Sequence, residues 1–363
     1  MKQNLLTISI DSDKLKKFPE KFNFLNFFSK KINSRLICGA ISLSAAFFIP
    51  VSTALAGHKP AEPQIDCTRL QFITEPADPL YEQCVSASVA GNAAASLELA
   101  RLYLNGGGSI EKNSAEGVRM MKIAGQQGSD TAVLELGLLY LNGEHVEKDV
   151  KTAQEYFRRI SGVNGQAAMM LAEIKMSEAY ELSYGSGKVR RNERRALELY
   201  RQVAGSPSVY RQAAQLALGD MYLNGRGTMV DFTEAFRWFN LALPDQESIN
   251  PENQNVAVLK ATMYRKGMGV KQNYSKAQKI YQLLIDRYRN PAAMFELAGM
   301  YSYGIGVKQD LQKAVDLYSE VQGIACADFV KISGYPNMCA LVGYEIANIA
   351  RFRASLEQNN IPE

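Results

Sequence analysis

Few residues in this chain have the type and spacing for chemistry. Ser109 and Lys112 form an S-x-x-K pair, the spacing at which a lysine sits beside a serine nucleophile in serine acyl-transferases. No S-D-N or K-T-G follows, and the pair lies in a glycine-rich connector after Gly106, so it reads as a chance spacing. His58 and His145 are the only two imidazoles. A metal site needs three or four ligands, and neither histidine has cysteines or acids at ligand spacing. There is no P-loop, no G-x-S-x-G and no dinucleotide fingerprint, and the G-x-G spacings belong to turns. No catalytic residue, metal ligand or cofactor is expected, and a chain of 363 residues with two histidines points to binding rather than catalysis.

The remaining chemistry depends on where the chain resides. Residues 1–56 read as a secretory signal peptide: Lys30, Lys31 and Arg35 flank the uncharged apolar run 36–52, which ends at the small-x-small pattern Ala54-Leu55-Ala56. The run is interrupted by Gly39, Pro50 and three serines, which makes it weaker than a spanning helix of about 20 apolar residues. Cleavage between Ala56 and Gly57 is expected, leaving a periplasmic protein with no stable membrane insertion. Of the 41 Lys and Arg, eight lie within 1–56, as do three of the 37 Asp and Glu, so the +4 of the whole chain becomes −1 without the leader. A near-neutral body offers no electrostatic footprint for nucleic acid.

Cys38 leaves with the leader, and four cysteines remain as two close pairs, Cys67 with Cys84 and Cys326 with Cys339. In an exported protein an even count suggests disulfides. The local pairing is favoured among three connectivities, each closed loop contributing about 3 kcal/mol in the chain-entropy model. A further local feature is basic. Lys188, Arg190, Arg191, Arg194 and Arg195 fall within eight residues, a solvated positive face or a docking patch for an acidic partner or an anionic polymer.

The elements that must carry these residues are repeated. Leu99 to Gly106 reads L-A-R-L-Y-L-N-G and recurs from Leu136 as L-G-L-L-Y-L-N-G and from Leu218 as L-G-D-M-Y-L-N-G, with shorter echoes around Tyr264 and Tyr301. A period of 37 residues, as from Tyr103 to Tyr140, means stacked helical pairs. A glycine three residues after the tyrosine ends the first helix. A small polar residue (Asn113, Asp149, Asn192, Asp231, Asn273 or Asp310) caps the second, with Glu116 and Glu234 placed to complete a capping box. Four residues after the cap stands Gly or Ala, and eight after it Met, Phe or Tyr, on one helical face.

This grammar resembles the SEL-like repeat, a relative of the tetratricopeptide repeat. The copy from Ala293 reads A-M-F-E-L-A-G-M-Y-S-Y-G-I-G-V-K-Q-D-L-Q-K-A, which departs from the signature chiefly in having L-A where L-G is usual. Six copies cover 93–322. Departures are His145 in place of a second glycine, a third copy that lacks its tyrosine and inserts about two turns before Gly185, and a longer connector over 244–255.

The resemblance implies an all-α fold, a right-handed superhelical solenoid of antiparallel helix pairs, that holds other proteins. Residues 57–92 would then form a linker and capping helix, and 323–363 a C-terminal capping segment whose outer side is charged. The expected function is a periplasmic scaffold or adaptor for an envelope protein, in polysaccharide export, motility or similar. Direct binding of an anionic polysaccharide or peptidoglycan is the alternative, and a hydrolase ranks third.

Overall fold

The computed structural model describes residues 65–72, 78–107, 110–185, 189–327 and 337–358. The expected leader 1–56 with its Ala56–Gly57 junction, and with it Cys38, His58, Ser109 and Lys188, lies outside the described residues. Among the described residues a 3-10 turn, Cys67–Phe72, precedes fourteen α-helices: α1 (Pro79–Val89), α2 (Ala93–Asn105), α3 (Ser114–Gln126), α4 (Asp130–Asn142), α5 (Val150–Ile160), α6 (Gly165–Tyr184), α7 (Glu193–Ala204), α8 (Arg211–Asn224), α9 (Phe232–Ala242), α10 (Gln254–Lys266), α11 (Tyr274–Tyr288), α12 (Pro291–Tyr303), α13 (Leu311–Ala327) and α14 (Met338–Gln358). The described residues contain no strand, and none of their helices is long and apolar enough to cross a membrane. They divide into two compact units, one ending at Ala217 and one beginning at Leu218 within α8.

In the N-terminal unit α2 packs on α3, α4 on α5 and α6 on α7; in the C-terminal unit α10 packs on α11 and α12 on α13. Short connectors of this kind return each helix along its predecessor. The expected caps are in place. Asn113, Asp149, Asn192, Asp231 and Asn273 accept backbone N–H bonds from the first turns of α3, α5, α7, α9 and α11, and Asp310 accepts from Lys313 at 3.0 Å. Each such cap contributes about 1 kcal/mol.

The capping box is not formed. Glu116 and Glu234 turn instead to Arg119 and Arg237, one turn further on. The physical reason is that the cap's own N–H is already spent: Asn113 donates to the Tyr103 carbonyl at 2.7 Å and Asp231 to that of Tyr222 at 2.9 Å. The same bond recurs at Asp149 to Tyr140, Asn273 to Tyr264 and Asp310 to Tyr301. The repeat tyrosine therefore marks the carbonyl that locks the second helix onto the first. In the third copy Leu182 occupies that place, accepting from Asn192 at 2.8 Å.

The core follows the cap register. Ala153, Ala196, Ala235, Ala277 and Ala314, four after the caps, are wholly buried, and so are Met121, Phe157, Phe239 and Tyr281, eight after them, with Tyr200 and Tyr318 at 1% exposure. Burying each of the aromatic rings contributes roughly 1.5–3 kcal/mol. The pairing explains which copies carry L-G and which L-A. A Cβ at Gly137 would come within 2.4 Å of the Phe157 ring, and one at Gly219 within 2.4 Å of Phe239. Where the large residue is Met121, Tyr281 or Tyr318, the position three before the repeat tyrosine is Ala100, Ala261 or Ala298.

Both cysteine pairs are joined locally. Cys67 bonds Cys84, holding the 3-10 turn with its buried Leu70 over α1 and α2, and Cys326 bonds Cys339, tying α13 to α14. The outer side of α14 is not simply charged. Leu341, Tyr344 and Phe352 are exposed on it because at about 100° per residue they fall to one side of the face that carries buried Met338, Val342 and Ile349.

Candidate functional site

The basic residues gather around the start of α7. Asn192 holds the helix start by accepting from Arg195 N–H at 3.1 Å, and the burial of Ala196, Leu197, Leu199 and Tyr200 fixes which face looks inward. Arg190, Arg191, Arg194 and Arg195 are all exposed. Two of them are partly neutralised by neighbours on their own segment: Arg191 pairs with Glu193 and Arg195 with Glu198 at 3.1 Å. Exposed pairs of this sort are worth about 0–1 kcal/mol and exchange readily. Arg190 and Arg194 form no ion pair among the described residues.

Two more cations join them that the sequence did not single out. Lys175 of α6 is half-buried, and Arg158, in the last turn of α5, is exposed. Burial lowers the Lys175 ammonium below its ordinary range, and Arg158 and Arg195 lower it further, while Glu178 opposes the shift. Cations from three successive helices thus act on one another. They are 37 residues apart at the extremes of the sequence, so only the packing of α5 on α6 and of α6 on α7 brings them together. The one sequence signal that marks the place is the two-turn insertion in the third copy.

The other candidate residues do not assemble a reactive centre. Lys112 is exposed in the α2–α3 connector, and its partner in the S-x-x-K spacing, Ser109, lies outside the described residues. His145 takes a left-handed backbone, φ 60°, and its Nδ1 lies 2.9 Å from the Ser114 hydroxyl. It acts as a joint between copies. Among the described residues no group of three or more His, Cys, Asp or Glu converges on a common point. A cleft of about 310 Å³ lies between α1, α2 and α3. Its polar groups serve each other: the Tyr81 and Tyr103 hydroxyls are 2.6 Å apart, Glu116 holds Arg119, and Gln127 bonds Ser96 and the Ser88 carbonyl.

Comparison with known proteins agrees with the repeat geometry. The Sel1 repeat model matches six times, over 93–129, 131–161, 166–204, 212–243, 255–287 and 291–320, and Sel1 repeats generally mediate protein–protein interaction. No curated protein sequence matches. Among solved structures, the chain is similar to a protective antigen of uropathogenic Escherichia coli with an SLR fold, at 25% identity and TM-score 0.37, covering 74% of this chain and 56% of that one. It is also similar to a Sel1 repeat protein from Oxalobacter formigenes, at 22% identity and TM-score 0.35, covering 67% and 99%. The chain thus spans little more than half the length of the first of these relatives. With six matched repeats over more than half of its residues, each falling on a helical pair, the chain belongs to the Sel1 repeat family.

Proposed function

We propose that this protein is an exported scaffold that holds another envelope protein, in polysaccharide export, motility or a similar assembly, and that it is not an enzyme. The observation that carries the reading is the set of six Sel1 repeats, in which the repeated residues are spent on caps, inter-helix locks and core. Two local disulfides support an oxidising compartment, and the periplasm after cleavage at Ala56–Gly57 is the one proposed. The docking patch proposed is Lys188, Arg190, Arg191, Arg194 and Arg195, and no cofactor or nucleic acid is part of the reading. Residues 57–92 and 323–363 are proposed as the caps of the stack, since terminal repeats must end the exposed apolar series.

The test is crosslinking in cells that express the full chain, followed by identification of what is captured. Recovery of one envelope protein in a defined ratio is expected. Crosslinked material that contains this chain alone would overturn the scaffold reading.

A second reading has an observation of its own. The guanidiniums of Arg190 and Arg194, which form no ion pair among the described residues, also suit an anionic polysaccharide or peptidoglycan fragment. Purified protein that binds such a polymer with no other protein present would favour it.

A further inference from the structure

The third repeat differs from the others in one dimension. Its first helix, α6, has 20 residues, whereas α2, α4, α10 and α12 have 13 each. Seven extra residues add about 10 Å of rise. The lock from Asn192 N–H to the Leu182 carbonyl shows that the end of α6 keeps the register of the other repeats, so the added length lies upstream of Leu182. Arg190 and Arg191, just before α7, therefore stand about 10 Å further from the α5–α6 turn than the corresponding residues of the other repeats stand from theirs.

The cations are disposed along this lengthened helix. Arg158 lies on the α5 side near its beginning, Lys175 near its middle, and Arg194 and Arg195 beside its end, on α7. Arg158, Arg190 and Arg194 are exposed and carry no ion pair among the described residues. Glu178 offsets part of the repulsion that Lys175 meets from Arg158 and Arg195, and Glu173 and Glu181 add two exposed acids to α6, but the cations outnumber them and an incoming anion relieves the repulsion that remains. We infer that the lengthened third repeat is a docking ridge for an acidic peptide segment, lying along α6 and held by Arg158, Lys175, Arg190, Arg194 and Arg195.

Three observations select this occupant. The ridge is elongated, and seven helical residues of it match about three residues of extended chain, which suits a run of Asp and Glu better than a single ion. Five of the six cations, counting Arg191, are arginines, whose planar fork accepts carboxylates in two-point contacts. Two of those forks, Arg191 and Arg195, already hold the Glu193 and Glu198 carboxylates in weak exposed pairs that a ligand can replace. The aromatic rings on the same helix, Tyr180 and Tyr184, are half-buried and pack on each other with centroids 5.0 Å apart. They do not stand open as platforms for sugar rings, which disfavours a glycan.

The proposal rests on the scaffold reading but is tested separately from it. Purified full chain with its disulfides formed is titrated into a fluorescently labelled deca-glutamate peptide, with deca-lysine and an oligo-uronate as parallel probes, and anisotropy is recorded. Deca-glutamate is expected to bind, with affinity falling roughly tenfold from low to high salt as surface charges are screened, and deca-lysine is expected not to bind. The double variant R158E/R194E is expected to weaken binding by tenfold or more, and the neutral R158Q/R194Q to weaken it by a smaller factor, with unfolding midpoints unchanged because both side chains are exposed. Equal binding by both variants and the parent protein, or no binding of deca-glutamate, would overturn the ridge. Binding of oligo-uronate without deca-glutamate would overturn it in favour of a glycan surface. Cellular capture of an envelope protein that survives R158E/R194E would sink this ridge while leaving the scaffold reading intact.

Discussion

Gly269→Ala is expected to destabilise the C-terminal unit by roughly 3 kcal/mol, well beyond what a turn glycine ordinarily contributes. The residue has φ +69°, and a Cβ built there would lie 2.0 Å from the Phe232 carbonyl oxygen and 2.6 Å from the Thr233 nitrogen. Left-handed backbone alone costs an alanine about 1–2 kcal/mol. The obstruction is backbone at the start of α9, so it cannot be relieved by rotating a side chain, and overpacking of this kind adds about 1–3 kcal/mol. Gly267 supplies the control. It has nearly the same φ, +70°, but the nearest atom to its Cβ would be that of Gln272 at 3.3 Å, so Gly267→Ala should cost only about 1–2 kcal/mol. The chain's one tryptophan, Trp238, lies in α9, and its fluorescence during guanidinium unfolding reports directly on the helix that Gly269 touches. Equal midpoint shifts for the two variants would show that the approach of Gly269 to α9 is not tight.

That contact also shows where reading by sequence stops. The caps, the small residue four positions on and the large one eight positions on are all legible, because a helix repeats every 3.6 residues and its N-terminal amides need an acceptor. Local spacing does not reveal what the second glycine of each repeat meets. Gly269 packs against Phe232, Gly306 against Tyr274, and His145, in the same position of its copy, reaches Ser114. Each partner directly follows the cap of the preceding second helix, so the requirement belongs to the joint between copies. Sequence reading identified the glycines as turn formers and missed the joint. The capping box failed for a related reason, since the cap amide it would satisfy is taken by a carbonyl ten residues or so upstream. The basic site divides in the same way. Arg190 to Arg195 are visible because they are adjacent, whereas Arg158 and Lys175 acquire meaning only when α5, α6 and α7 pack.

Lys260 is a residue from which a pH effect on stability is expected just above neutrality. It lies in α10, is 7% exposed, and its ammonium donates to the Leu243 carbonyl at the end of α9. The connector 243–253 turns away there, leaving that carbonyl to be satisfied from α10. Burial first, and then the nearby Lys276, bring the Lys260 pKa down to about 8, with Asp245 acting in the opposite sense. An unfolded lysine titrates near 10.4, so the folded chain binds this proton more weakly than the unfolded chain does. Below about pH 8 both states are protonated and the folded state carries the full penalty of a buried charge. As pH rises through 8 the folded chain releases the proton while the unfolded chain keeps it, and stability increases. Between about pH 7 and pH 9.5 the gain from this group is on the order of 2 kcal/mol. In Lys260→Met the gain should vanish, so the stability of the parent relative to the variant should rise by on the order of 2 kcal/mol from about pH 7 to pH 9.5, on top of a pH-independent cost of leaving the Leu243 carbonyl without its donor. Taking the difference between the two unfolding profiles removes contributions common to both, including that of the buried Tyr281 hydroxyl, whose ionisation is pushed upward by burial. Parallel profiles for parent and variant across this range would mean that Lys260 is as well solvated in the folded chain as in the unfolded one.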